Sequence, residues 1–147
     1  MNILNKILSL IKGSIGKADS AELDMSYDIP VRYRADYLAA KMVTKMGVYG
    51  TRIEMDYGVL TDGYDVTNDT VWLTVKTYTS NTAISAAIAC HEVGHAYLCK
   101  NGFSGSRIEY ETKATEIALH FLRDELTDEQ FKVAERFLDT AFKTYKS

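Results

Sequence analysis

Apolar positions change period several times along this chain, and each change marks an element. In the first seventeen residues Ile3, Leu4, Ile7, Leu8 and Ile11 recur at helical spacing while Asn2, Asn5, Ser9 and Lys12 fall on the other side, which predicts an amphipathic helix. The small and polar stretch GSIGKADSAELD then reads as a linker, dividing an N-terminal segment over 1–29 from a domain over 30–147. Pro30 at a first helical position predicts a helix over 30–46, with Leu38, Ala39, Met42, Val43 and Met46 inward and Gly47 as its stop. Strand character follows at 52–56. After the turn-rich TDGYDVTND, Val71, Leu73 and Val75 alternate with Trp72 and Thr74, which predicts a strand over 70–77. Caps announce three more helices: residues 80–82 before a helix running towards Asn101 and Gly102, Ser106 with Glu109, and Thr127 with Gln130. A helix, a small sheet and three helices make an α+β domain.

Composition narrows the picture. The 147 residues, 46% hydrophobic and 25% charged, suit one globular domain with its own core. A net charge of −3 gives no basic field of the kind nucleic-acid binders use, so no nucleic-acid partner is expected. Cys90 and Cys99, nine residues apart on one predicted helix, stand about 13 Å apart, beyond the reach of a disulfide. Two unpaired thiols point to a reducing, cytoplasmic setting. No stretch reaches the roughly 20 apolar residues of a spanning helix. Asn5 and Lys6 interrupt the N-terminal apolar run and no small-residue cleavage site follows, which argues against a secretory signal. The pattern over 1–17 fits peripheral contact with a membrane surface, and it fits equally a helix docked on its own domain.

The chemistry concentrates in CHEVGHAYLCK. Ile84, Ala87, Ile88, His91, His95 and Leu98 share one helical face, so both histidines point inward. Two buried imidazoles one turn apart each need a partner, and a metal satisfies both at once. Neutral imidazoles at i and i+4 reach one zinc ion, while Glu92, about 100° round the helix, reaches a water on it. Gly94 weakens the helix, which implies a close neighbour at that point. A catalytic zinc needs a third protein ligand. On the following helix Ile108, Glu111, Thr115, Ala118 and Leu122 form an inward stripe, whereas Glu109, Glu116 and His120 project from the opposite side. Glu111 is therefore the expected third ligand, the bland alternative being an ion pair with Arg34 or Lys41.

The residues GVLTDGYDVTNDTVWLTVKTYTSNTAISAAIACHEVGHA, followed by YETKATEIAL, resemble the YugP-type neutral zinc metallopeptidases of bacterial membranes. The matching positions are Thr61, Asp62, Tyr64 and Asp65, then 82–96, then Glu111, Ala114, Thr115, Ala118 and Leu119. The resemblance also implies Glu111 as third ligand. Gly63 stands where that family has histidine and Val66 where it has proline, and only 96–110 separate His95 from Glu111, so the chain is similar to a minimal form without spanning helices. The stand-alone minigluzincins and the ImmA/IrrE-type metallopeptidases are similar in size and motif order.

These readings converge on an α+β zincin-like domain: a small twisted sheet, an HExxH helix and a glutamate-bearing helix crossing it. It would hold one zinc ion per chain through His91, His95 and Glu111, with Glu92 as general base in the hydrolysis of a peptide or protein substrate. The strand over 70–77 resembles the zincin edge strand on which an extended substrate pairs. Tyr64, Tyr110 and Arg107 are the candidates for stabilising the oxyanion. The alternative is a catalytically inactive, zinc-stapled binding module; Glu92 separates the two, because a purely structural site needs no base beside the metal.

Overall fold

The computed structural model describes residues 33–58 and 61–146; the amphipathic segment 1–17, the linker and Pro30 lie outside them. The described elements run α1 (Ala35–Lys45), β1 (Arg52–Met55), β2 (Gly63–Asp65), β3 (Thr70–Leu73), α2 (Val75–Thr79), α3 (Ala83–Lys100), α4 (Arg107–Arg123) and α5 (Asp128–Lys146). The protein is thus α+β, with a three-stranded sheet and five helices among the described residues.

The α3 helix is the axis of the molecule. It packs against α1, α4, α5 and the sheet, and from Ala86 to Ala96 every residue is buried. A single apolar face, as the spacing predicts, understates this: alanines at 83, 86, 87, 89 and 96 make a thin rod that neighbours approach from all sides. Thr82 caps its start by accepting from the Ser85 N–H, and Asn101 with the left-handed Gly102 (φ +70°) ends it. On α1, Leu38, Ala39, Met42 and Val43 are buried as predicted, and Gly47 at φ +70° provides the stop. The capping boxes Ser106/Glu109 and Thr127/Gln130 both form. On α5, Val133, Ala134, Phe137, Leu138 and Ala141 complete the core.

Three expectations are corrected. First, α1 begins at Ala35, not Pro30: Arg34 has extended backbone (ψ 141°), and the Ala35 N–H donates to the Ser80 carbonyl at 2.8 Å, pinning the entry to the chain ahead of α3. Second, the strand over 70–77 ends at Leu73. Thr74 turns the chain into α2 by accepting from the Thr77 N–H, while the buried Asp62 accepts from the Thr74 N–H (2.9 Å) and the Thr77 hydroxyl (3.0 Å). Third, β3 is not an edge strand. The sheet order is β1-β3-β2, with β1 parallel and β2 antiparallel to β3. TDGYDVTND holds a strand as well as a turn: Tyr64 faces Val71, and the reversal ends at Asp69, whose φ of +47° an aspartate tolerates.

Candidate metal centre

His91 and His95 stand one turn apart on α3 with their rings nearly perpendicular (83°) and centroids 4.6 Å apart. Helix α4 crosses over them. Glu111 Oε2 lies 2.7 Å from His91 Nε2 and 3.1 Å from His95 Nε2, and the two Nε2 atoms are 3.0 Å apart. Three donor atoms from two helices thus converge on one point. The alternative partners of Glu111 are engaged elsewhere, Arg34 with Asp36 and Lys41 with Glu125.

The crossing that delivers Glu111 is set by Gly94. A Cβ there would sit 2.7 Å from the Ala114 carbonyl oxygen and 3.1 Å from its Cα, so glycine is the residue that lets the α4 backbone come this close. Glu109, Glu116 and His120 are exposed, as the helical pattern predicts. Ile108 departs from it: expected on the inward stripe, it is 42% exposed. The buried stripe is instead Ala114, Ala118, Phe121 and Leu122, with Glu111 and Thr115 at its margin.

Electrostatics follow the burial. Burial pushes the Glu111 carboxyl up, but hydrogen bonding to His91 and His95 outweighs it and holds the group well below the usual carboxylate range. Burial lowers His91 further than Glu111 raises it, which favours a neutral ring. At His95 burial also acts downward, yet Glu111 and the nearby charge of Glu92 carry the group above its ordinary value. Glu92 is buried, and its carboxylate and the two imidazoles lie within 4.8 Å of one another. It stands beside the converging trio.

Two further α4 side chains brace the histidines. The Tyr110 ring stacks on His95 (centroids 4.8 Å, 18° between planes), and its hydroxyl donates to the His95 carbonyl at 3.0 Å. Thr115 Oγ1 is 3.2 Å from His91 Nδ1. Sequence reasoning placed Thr115 on the inward stripe without a task, although its position one turn after Glu111 is the signal that it shares the site. Of the other oxyanion candidates, Tyr64 donates to Asp69 Oδ1 at 2.7 Å and Arg107 is exposed at the start of α4. Asp62, part of the TDGYD motif, serves the β3–α2 joint.

The donor set suits zinc: two nitrogens and a carboxylate oxygen, buried and converging. Ligands of a tetrahedral zinc at 2.0–2.1 Å stand about 3.3–3.4 Å apart, so separations of 2.7–3.1 Å need open by about 0.2–0.7 Å. Residues 25–111, more than half of the chain, match the family described as "putative neutral zinc metallopeptidase". The chain belongs to this family. The match ends at Glu111, so it spans the whole of the HEVGH helix and reaches the third converging side chain. No curated protein and no solved structure matches the chain. No helix among the described residues is long and apolar enough to cross a membrane. For this zinc metallopeptidase family member, His91, Glu92 and His95 form a cluster that could hold a metal ion, with Glu111 against both imidazoles.

Proposed function

We propose that this protein is a zincin-like zinc metallopeptidase that hydrolyses peptide bonds, with His91, His95 and Glu111 as ligands of one zinc ion and Glu92 as general base. The observation that carries this reading is the convergence of three donor atoms from α3 and α4 within 3.1 Å of one another. A zinc ion held there supplies Lewis acidity, polarising a carbonyl oxygen and acidifying water at neutral pH. The remaining work falls to the chain. Glu92, buried beside the trio, takes a proton from the attacking water and passes it to the leaving amine as the C–N bond breaks. Burial favours the neutral ring of His91, whose nitrogen then offers a lone pair, and the low-lying Glu111 offers an anionic oxygen without competing for that proton.

An extended peptide adding to the sheet would pair with β2, the outer strand of the described sheet that packs against α3, since β3 is enclosed between two strands. The retained Glu92 favours an enzyme over a zinc-stapled binding module. Metal analysis of purified protein with a proteome-derived peptide cleavage screen, run beside Glu92→Gln and Glu111→Ala, tests both parts. Glu92→Gln keeps zinc and loses cleavage; Glu111→Ala loses zinc while Glu109→Ala and Glu116→Ala keep it. Unchanged turnover in Glu92→Gln would remove the general base from the mechanism.

A further inference from the structure

The contact between Thr115 and His91 concerns the face of the imidazole turned away from Glu111. His91 is buried, its Nε2 is 2.7 Å from Glu111 Oε2, and its Nδ1 is 3.2 Å from Thr115 Oγ1. Both ring nitrogens therefore have a partner, and the single proton of a neutral imidazole decides which contact it donates to. When Nε2 carries the proton it donates to the Glu111 carboxylate, leaving Nδ1 a lone pair that only a donor can satisfy. A metal at the trio demands the opposite tautomer, with the lone pair on Nε2 and the proton on Nδ1, where only an acceptor can satisfy it. A hydroxyl is both donor and acceptor, and it rotates between the two roles without moving its oxygen. A carboxylate at this position would serve only the second tautomer, and an apolar side chain neither.

We propose that Thr115 is a reversible positioning residue for His91: its hydroxyl donates to Nδ1 when Nε2 carries the proton, and accepts from Nδ1–H when the Nε2 lone pair is turned to a metal. The second half rests on the zinc reading above; the first does not. The role leaves no buried ring nitrogen of His91 unpaired in either state. It also makes uptake of an ion a relocation of one proton within His91 rather than a rearrangement of α3 against α4.

The test uses the full chain, with Thr115→Val (same shape, no hydroxyl) and Thr115→Ser (hydroxyl restored). Nitrogen-15 NMR of the imidazoles in metal-free protein reads the tautomer directly, and chelator competition reads zinc affinity. Wild type and Thr115→Ser are expected to show His91 as the Nε2–H form without metal and as the Nδ1–H form with zinc. In Thr115→Val the metal-free ring becomes a mixture, and zinc affinity falls about 10- to 100-fold, the usual effect of removing such an outer partner. Circular dichroism of the metal-free variants establishes that the fold is kept. If Thr115→Val matches wild type in both tautomer and affinity, or if Thr115→Ser fails to restore them, the proposal is overturned. If wild type takes up no zinc, the metal reading and the accepting half fall together, and the metal-free tautomers alone decide the donating half.

Discussion

Gly94 and Ala114 meet backbone to backbone where α3 and α4 cross, with no room between them for a methyl group. One turn before Ala114, Glu111 drops onto the histidines that flank Gly94 on the other helix. A glycine inside the HEVGH sequence therefore sets the distance at which a second helix delivers its carboxylate.

Gly94→Ala tests that relation. Alanine favours an isolated helix by about 1 kcal/mol, but here its Cβ meets a carbonyl oxygen at 2.7 Å and backbone cannot step aside as a side chain would. A net loss of about 1–3 kcal/mol is expected in urea denaturation of the metal-free protein, as for other overpacked sites. Zinc affinity should fall with it, because α4 must lift Glu111 away from His91. A variant as stable as wild type with undiminished affinity would show that the crossing is not tight.

Tyr110 distinguishes support of the site from participation in the reaction. Its hydroxyl is engaged by the His95 carbonyl, and its ring, flanked by Phe103 at 5.8 Å, holds His95 by stacking. Tyr110→Phe should therefore cost about 0.5–1.5 kcal/mol in stability and leave zinc affinity and kcat within a few-fold, whereas Tyr110→Ala should loosen His95 and weaken zinc binding. A fall of more than about 100-fold in kcat for Tyr110→Phe with zinc retained would instead put the hydroxyl on the oxyanion.

Much of this site was legible in the sequence, and the reasons are local. The helical repeat alone sets His91 and His95 one turn apart, and the 3.6-residue spacing of α4 separates Glu111 from Glu109, Glu116 and His120. Capping chemistry located the starts of α3, α4 and α5 because each cap is satisfied within three or four residues. The sheet was less legible, because its order depends on contacts across the chain. Alternation through Val75 extends the apparent strand, but Asp62, twelve residues before Thr74, supplies the acceptor that ends it. A three-residue strand such as β2, inside a run of turn formers, carries too short a period to be recognised. The all-round burial of α3 was hidden because alanine is as common on half-buried helices as on enclosed ones.

Acid should unfold the metal-free protein through a small set of carboxylates. Burial raises the Asp69 carboxyl, but hydrogen bonds from Lys100, Thr51 and Tyr64 hold it below the usual range; at Glu125, Lys41 and Lys45 do the same. Glu111 shifts in the same direction. A folded pKa below the unfolded value of about 4 means stability present above that pH and lost as the pH falls through the folded values. Asp62, raised by its burial, works in the opposite sense and softens the loss. Thermal unfolding from pH 6 to pH 2 should therefore show a falling Tm, with Asp69→Asn less stable than wild type at pH 6 and approaching it in acid. Asparagine tolerates the left-handed backbone at this position (φ +47°), so the comparison reads the loss of the charge and of one acceptor oxygen without added backbone strain. Parallel curves would mean that Asp69 is not part of the acid response.

The segment 1–17 lies outside the described residues, and its sequence pattern makes a separate prediction. Ile3, Leu4, Ile7, Leu8 and Ile11 recur at helical spacing, with Lys6, Lys12 and Lys17 in the same stretch. On an anionic membrane each basic residue contributes on the order of 1 kcal/mol and the aliphatic face adds apolar burial, so attachment should be reversible and salt-sensitive. The full chain is expected to sediment with vesicles containing anionic lipid at low salt, to release as salt rises, and to lose this behaviour when truncated to begin at Ala21. Faster peptide cleavage by the truncated chain, with no sedimentation of either form, would identify the segment as a cover over the domain instead. Equal sedimentation of both forms would place any membrane contact elsewhere in the protein.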